Sequence, residues 1–101
     1  MLHGSNSEGA RLLIDALLSL KDENELTAFL EDVCTINELQ AMAQRMEVAS
    51  LLDDAVKYND IASRTGASTA TISRVNRSLN YGAGGYKLIL QRLKGAASED
   101  D

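Results

Sequence analysis

The sequence contains no proline and no tryptophan, and its aromatic content is limited to three tyrosines and one phenylalanine. Hydrophobic residues nevertheless make up 45% of the chain, so a core must be built mainly from Leu, Ile, Val, Ala and Met. Apolar and polar residues do not alternate with a period of two over any useful length, and no strand is indicated. This composition favours packed helices, and we predict an all-α fold.

Cysteine and histidine are equally scarce. The chain has one of each, Cys34 and His3, so no intrachain disulfide and no cysteine-based metal cluster can form. His3 stands in a polar, Gly/Ser-rich start, where a catalytic triad or a metal site would have no partner for it. Paired carboxylates such as Asp53-Asp54 are interpreted as solvated helix surface. We therefore expect no enzyme activity, no metal site and no bound cofactor.

Long apolar runs are also missing. Charges interrupt the apolar stretches before they reach the roughly twenty residues that a membrane span needs. The first ten residues are polar, and we expect no secretory signal there. The single thiol fits a reducing compartment, so we predict a cytoplasmic protein with no membrane partner.

The net charge of −5 hides an uneven distribution along the chain. Residues 1–56 contain 3 basic and 11 acidic residues and carry −8, whereas residues 57–94 contain 7 basic residues and one acidic residue and carry +6. The three acidic residues of the tail bring the total to −5. A polyanion responds to the local field, so the basic segment is compatible with nucleic-acid binding. An ordinary solvated surface with uneven charge explains the distribution equally well.

Helical spacing of apolar residues predicts three helices in the first half of the chain. The first follows Ser7 as a possible N-cap, and the second covers approximately residues 26–33. The third opens with Thr35 and Glu38, which match the Ser/Thr-x-x-Glu capping box. The apolar stripes of these helices are wide for so short a chain, and interlocking with a second copy is the simplest way to cover them.

Residues 58–79 predict a helix-turn-helix. Ala62 permits close approach of the two helices, and Gly66 supplies a left-handed backbone at the turn. Ser68 can cap the second helix, which we expect to run from Thr69 to about residue 79. Its buried face consists of apolar residues spaced three and four apart: Ile72, Val75 and Leu79.

The opposite face of this second helix carries small side chains at its N-terminal end and basic side chains further along. Such a face can enter the major groove, with small and hydroxyl side chains near base edges and basic side chains near phosphate or guanine. The candidate DNA-binding residues are Lys57, Arg64, Ser68, Thr69, Ala70, Ser73, Arg74 and Arg77. The alternative is a helical protein-protein interaction module, which uses the same helix pair without a role on DNA.

The chain resembles the tryptophan repressor superfamily from about Leu12 to Leu93. The resemblance is strongest over residues 66–74 and at Ser78-Leu79, and the continuation over residues 80–88 is similar to the Trp-repressor-related proteins of the YerC/YecD type. It implies an intertwined homodimeric helical bundle with a Trp repressor-like helix-turn-helix in each subunit. The two copies would contact successive major grooves of double-stranded DNA as a sequence-specific transcriptional regulator, in particular a bacterial repressor.

The resemblance also implies a site for a small-molecule effector that selects the DNA-competent arrangement. Carried over by position, the effector-binding residues would be Thr35, Arg45, Arg74 and Ser78. The two arginines would flank a planar ligand, with Ser78 near its amino group. Val75 stands where the repressor has a glycine, and its side chain would occupy space that an indole requires, which argues against L-tryptophan as the corepressor. Each of the four residues also has an ordinary structural explanation, such as a helix cap or an exposed base.

We predict a single domain with disordered ends. Residues 8–56 would form the helical dimerisation core, residues 57–79 the helix-turn-helix, and residues 80–94 a C-terminal turn and helix. The glycines at 82, 84 and 85 are interpreted as a turn, because no strand precedes them and no Gly-Lys-Ser/Thr follows.

Overall fold

The computed structural model describes the backbone of residues 7–100 and the side chains of residues 7–96. Within this range the chain forms α-helices and no strand, which confirms the predicted all-α class. The helices are α1 (Glu8–Ser19), α2 (Glu23–Val33), α3 (Ile36–Asp53), α4 (Tyr58–Thr65), α5 (Thr69–Tyr81) and α6 (Gly85–Asp100). The chain divides into two compact units, residues 1–39 and residues 40–101. This division falls within α3.

Helices in the first unit begin at side-chain caps. Ser7 accepts a hydrogen bond from the amide three residues further on at 3.0 Å, and Asp22 does the same for α2 at 2.9 Å. Thr35 and Glu38 form the predicted capping box, in which the Glu38 amide donates to Thr35 Oγ1 at 3.1 Å and the Thr35 amide donates to Glu38 Oε1 at 2.7 Å. The hydrogen bond from the Thr35 backbone, assisted by the Thr35 side chain, lowers the pKa of the Glu38 carboxyl. These caps satisfy amides that have no partner inside a helix, and so they fix where each helix starts.

The hydrophobic core lies in the second unit. Its buried members come from α3, α4, α5, α6 and the turn between α4 and α5: Val48, Ala49, Ile61, Ala67, Ile72, Val75, Leu79 and Leu90. The predicted buried face of α5 is therefore confirmed. In contrast, α1 and α2 contain no buried residue.

Helix α3 ends in a left-handed cap that leads into α4. Ala55 has a φ of 62°, its amide donates to the Leu52 carbonyl at 3.0 Å, and the Val56 amide donates to the Leu51 carbonyl at 3.0 Å. This hydrogen-bond pattern is a Schellman motif with alanine where glycine is usual. Val56 packs against the core, so the motif anchors the start of the helix-turn-helix to α3.

The final helix is longer than predicted. The prediction placed its end near Lys94, whereas the helical backbone continues to Asp100. Alanines at 96 and 97 favour the helix, and no proline follows to stop it. Residues 1–6 and residue 101 belong to the ends that were predicted to be disordered, and they lie outside the described residues.

Candidate nucleic-acid interface

Helices α4 and α5 meet at the predicted turn. Gly66 has a φ of 74°, and its amide donates to the Ala62 carbonyl at 2.9 Å, which closes α4. A positive φ strains residues that carry a Cβ, so glycine suits this position. Ala62 is half-buried against the cluster that contains Ile61, Ile72 and Val75, as the close approach of the two helices requires.

Two hydroxyl groups fasten the turn. Thr65 Oγ1 donates to the Ile61 carbonyl at 2.7 Å and accepts from the Ala67 amide at 3.1 Å. Ser68 Oγ accepts from the Thr71 amide at 3.1 Å, which confirms the predicted N-cap, and donates to Thr71 Oγ1 at 3.1 Å. The role of Thr65 was not predicted, although a threonine directly before the turn glycine was the available signal. The turn is therefore held by side chains as well as by backbone conformation.

One face of α5 is exposed and carries half of the predicted DNA-binding residues. Ala70, Ser73, Arg74 and Arg77 line a shallow depression of about 230 Å³, because residues spaced three, four and seven apart share a helix face. The other predicted residues are also exposed: Lys57, Arg64, Ser68 and Thr69. Ser68 is committed to the cap, so its hydroxyl is the least available of the set.

The positive charge of this region is largely unpaired. Among the side chains of residues 7–96, the ion pairs are Arg11 with Asp15 and Lys94 with Asp53 and Asp54. Lys94 was counted in the basic segment, but its charge is offset by two carboxylates at 2.9 Å. The remaining six cations of the segment form no ion pair with a described side chain: Lys57, Arg64, Arg74, Arg77, Lys87 and Arg92.

The predicted effector residues are distributed over both units, with Thr35 in the first and Arg45, Arg74 and Ser78 in the second. The Thr35 hydroxyl is engaged in the capping box of the first unit. Ser78 borders an open, mainly apolar depression of about 440 Å³, which neither Arg45 nor Arg74 lines. Its lining residues are Met46, Ser78, Gly82, Ala83, Gly85, Tyr86 and Ile89. Val75 is buried in the core. The effector site stays a prediction.

The glycine-containing connection between α5 and α6 forms a turn, as predicted. A Cβ at Gly82 would collide with the carbonyl oxygen of Ser78, so the close approach of the backbone explains this glycine. Tyr86 is half-buried against the core, whereas Tyr81 is exposed.

Among the described residues, no three His, Cys, Asp or Glu side chains are grouped so that they could hold a metal ion. None of the helices in this part of the chain combines the length and the apolar character required to cross a membrane.

Comparison with known proteins places the chain in a family. The sequence profile of the family described as Trp repressor protein matches residues 8–94. The chain is 52% identical over 87 residues to the uncharacterized protein YerC of Bacillus subtilis (strain 168), which covers 86% of this chain and 84% of YerC.

Two solved structures of Trp repressor-like proteins are similar to this chain. A TrpR-like protein from Eubacterium eligens ATCC 27750 superposes with a TM-score of 0.84 at 55% identity, covering 88% of this chain and 92% of the other. A Staphylococcus aureus protein proposed to be a Trp repressor gives a TM-score of 0.85 at 39% identity, covering 93% and 94%. The chain belongs to the Trp repressor protein family.

Proposed function

We propose that this protein is a sequence-specific DNA-binding transcriptional repressor that acts as a homodimer. The observation that carries the proposal is the exposed face of α5, where Ala70 and Ser73 lie beside Arg74 and Arg77, whose guanidinium groups form no ion pair with a described side chain. The small residues allow a helix to approach base edges, and the arginines supply charge for phosphate or guanine. Membership of the Trp repressor family supports the same assignment.

A homodimer is supported by the apolar surface of the first unit. Leu12, Leu18 and Ile36 are 71%, 78% and 73% exposed, and neither α1 nor α2 contains a buried residue. Leaving such side chains in water forfeits the main favourable term of folding. A second copy of the chain would cover them and would place two helix-turn-helix units on one DNA site.

Effector control is a second proposal. Arg45 and Arg74 are exposed and form no ion pair with a described side chain, so they are free to receive a carboxylate. The identity of the effector is open, and Val75 argues against tryptophan. A thermal-shift screen with amino acids and aromatic metabolites tests this proposal, and flat shifts throughout would indicate a ligand-independent regulator.

Fluorescence anisotropy on DNA selected from a genomic pool tests the main proposal. Affinity should fall steeply with salt, because each neutralised phosphate releases a counterion. Arg77→Ala should weaken binding to all sequences and reduce the salt slope by about one, whereas Ser73→Ala should change the preference between sequences. Arg11→Ala is the matched control, since it removes an exposed arginine from α1.

Binding that is absent at low salt on every fragment would contradict the proposal. Recovery of one stoichiometric protein partner without DNA would instead favour the interaction module.

A further inference from the structure

A glutamine of α3 holds the turn of the helix-turn-helix. Gln44 Nε2 donates to the Thr65 carbonyl at 3.2 Å in a partly buried contact. Thr65 is the last residue of α4, and carbonyls in the last turn of a helix have no partner inside that helix. Gln44 therefore supplies a missing partner and joins α3 to the turn between α4 and α5.

A lysine of α6 makes a second link to the same helix. Lys94 Nζ donates to the Ser50 carbonyl at 3.1 Å, and to Asp53 and Asp54 at 2.9 Å each. Desolvation would lower the pKa of Lys94, but its hydrogen bonds to the two aspartates and their charges outweigh this and raise the pKa. A cation is also favoured near the C-terminal end of a helix. Since α6 packs against α5, this link ties the far side of the helix-turn-helix to α3.

The apolar contact between α3 and the other helices lies between these two links. Val48 and Ala49 are fully buried in the cluster that contains Ile61 and Val75. Hydrophobic contact is not directional, so it holds the helices together without fixing their rotation. Gln44 and Ser50 are separated by about 9 Å along the helix axis at 1.5 Å per residue. Two directional links that far apart define the orientation of α4 and α5 on α3, whereas a single link would leave these helices free to rotate about it.

We propose that Gln44 and Lys94 are positioning residues for DNA recognition: together they fix the orientation of α4 and α5 on α3, and thereby the spacing of the half-sites that the dimer binds. This inference rests on the proposed function, because spacing has meaning only for a dimer on DNA. Neither side chain needs to touch DNA. In a dimer, the angle of each helix-turn-helix on α3 sets the distance between the two α5 helices, and that distance must match the turn of the duplex.

Half-site spacing provides the main test. Affinities are measured by anisotropy for the selected operator and for versions with one base pair added or removed between the half-sites. Gln44→Ala should reduce the preference of the protein for its best spacing by about fivefold, the value of one hydrogen bond. Lys94→Gln should reduce it by at least as much, because it removes a cation that makes three hydrogen bonds. Lys94→Arg, which keeps a cationic donor, should restore the preference.

Matched controls separate positioning from general damage. Gln40→Ala changes an exposed glutamine on the same helix as Gln44, and Lys87→Gln removes an exposed lysine from the same helix as Lys94. Both should retain the wild-type spacing preference. An equal loss of affinity at every spacing in Gln44→Ala and Lys94→Gln would overturn the proposal, since a merely structural role predicts that result.

Hydrogen-deuterium exchange of the free protein gives a readout that does not depend on DNA. In Gln44→Ala, the backbone amides of residues 61–67 should exchange about fivefold faster than in wild type or Gln40→Ala. If the wild type binds no DNA specifically, the proposed function fails, and this measurement alone decides whether Gln44 holds the turn. Unchanged exchange would overturn the proposal in either case.

Discussion

The two compact units of this chain differ in whether they bury their apolar side chains. The second unit, residues 40–101, contains every buried hydrophobic residue of the part described, and its helices share one core. The first unit, residues 1–39, has equally regular helices with well-formed caps, yet none of its described residues is buried. Local signals therefore suffice to start and stop helices, whereas the buried core of the described residues lies in the second unit.

This contrast assigns different tasks to the two units. The second unit forms a self-contained body that presents the exposed face of α5, and it includes the part of α3 on which the helix-turn-helix rests. The first unit presents apolar surface that a second copy would cover. Under the proposed function, recognition would belong to the second unit, and the first unit would contribute apolar surface to self-association.

The largest expected effect tests the core of the second unit. Ile72→Ala should lower the free energy of unfolding by about 2–5 kcal/mol, because it removes methyl groups from a fully buried site and leaves a cavity. Urea denaturation at fixed protein concentration measures the change. Leu51, which is only partly buried, is the control, and Leu51→Ala should cost less. An equal loss of unfolding free energy in the two variants would mean that the burial of these residues in one chain does not determine their contribution to stability.

The next effect tests the first unit. Leu18→Gln and Ile36→Gln should raise the dissociation constant of the dimer by about tenfold or more, since each buried leucine or isoleucine contributes about 1.5–3 kcal/mol. Sedimentation equilibrium gives the constant directly. Lys21→Gln, at an exposed polar position of the same unit, should leave association unchanged. A wild-type chain that stays monomeric at high concentration would refute the division of tasks between the units.

Two left-handed positions in the second unit should respond in opposite directions. Gly66→Ala should destabilise the protein by roughly 1–2 kcal/mol, because φ is 74° and a Cβ is strained there. Ala55→Gly should stabilise it by roughly 0.5–1 kcal/mol, because Ala55 already has a φ of 62°. Thermal unfolding of both variants provides the comparison. Changes of the same sign would show that one of these caps is not formed in solution.

The smallest effects concern pH, and the two units should respond at opposite ends of the scale. The pKa of Glu38 is lowered from its ordinary 4.5, so the capping box contributes fully above pH 4.5 and its contribution is lost as pH falls through the lowered pKa. The pKa of Lys94 is raised from 10.5, so its link contributes fully below pH 10.5 and is lost as pH rises through the raised pKa.

Circular dichroism during acid and alkaline titration checks both directions. Glu38→Gln should remove part of the acid dependence only, and Lys94→Gln part of the alkaline dependence only. Glu31→Gln, at an exposed position of α2, serves as the control. If Glu38→Gln alters the alkaline limb instead, the assignment of these groups is wrong.

Much of the fold follows from short-range patterns. The capping box at Thr35, the N-cap at Ser68 and the turn at Gly66 each depend on residues within four positions, and all three are present as predicted. The exposed face of α5 also follows from helical periodicity, because its buried face could be identified first. Those predictions concern where side chains point, and the roles of the exposed residues in DNA binding remain to be tested.

Two features could not be predicted in this way. The bond from Gln44 to Thr65 joins residues 21 positions apart, and that from Lys94 to Asp53 joins residues 41 apart. In the sequence, Lys94 counted toward the basic segment and Asp53 toward the acidic half. Neither residue type nor spacing indicates that the two charges meet.

The amino-acid sequence by itself determined the helices, their caps, the turn of the helix-turn-helix and the apolar face of α5, because these depend on backbone conformation and periodicity within one or two helical turns. Tertiary structure alone decided which cations remain unpaired, which half of the chain has a core, and how α3 holds the helix-turn-helix. These properties arise from contacts between distant segments, and such contacts exist only after the helices have packed.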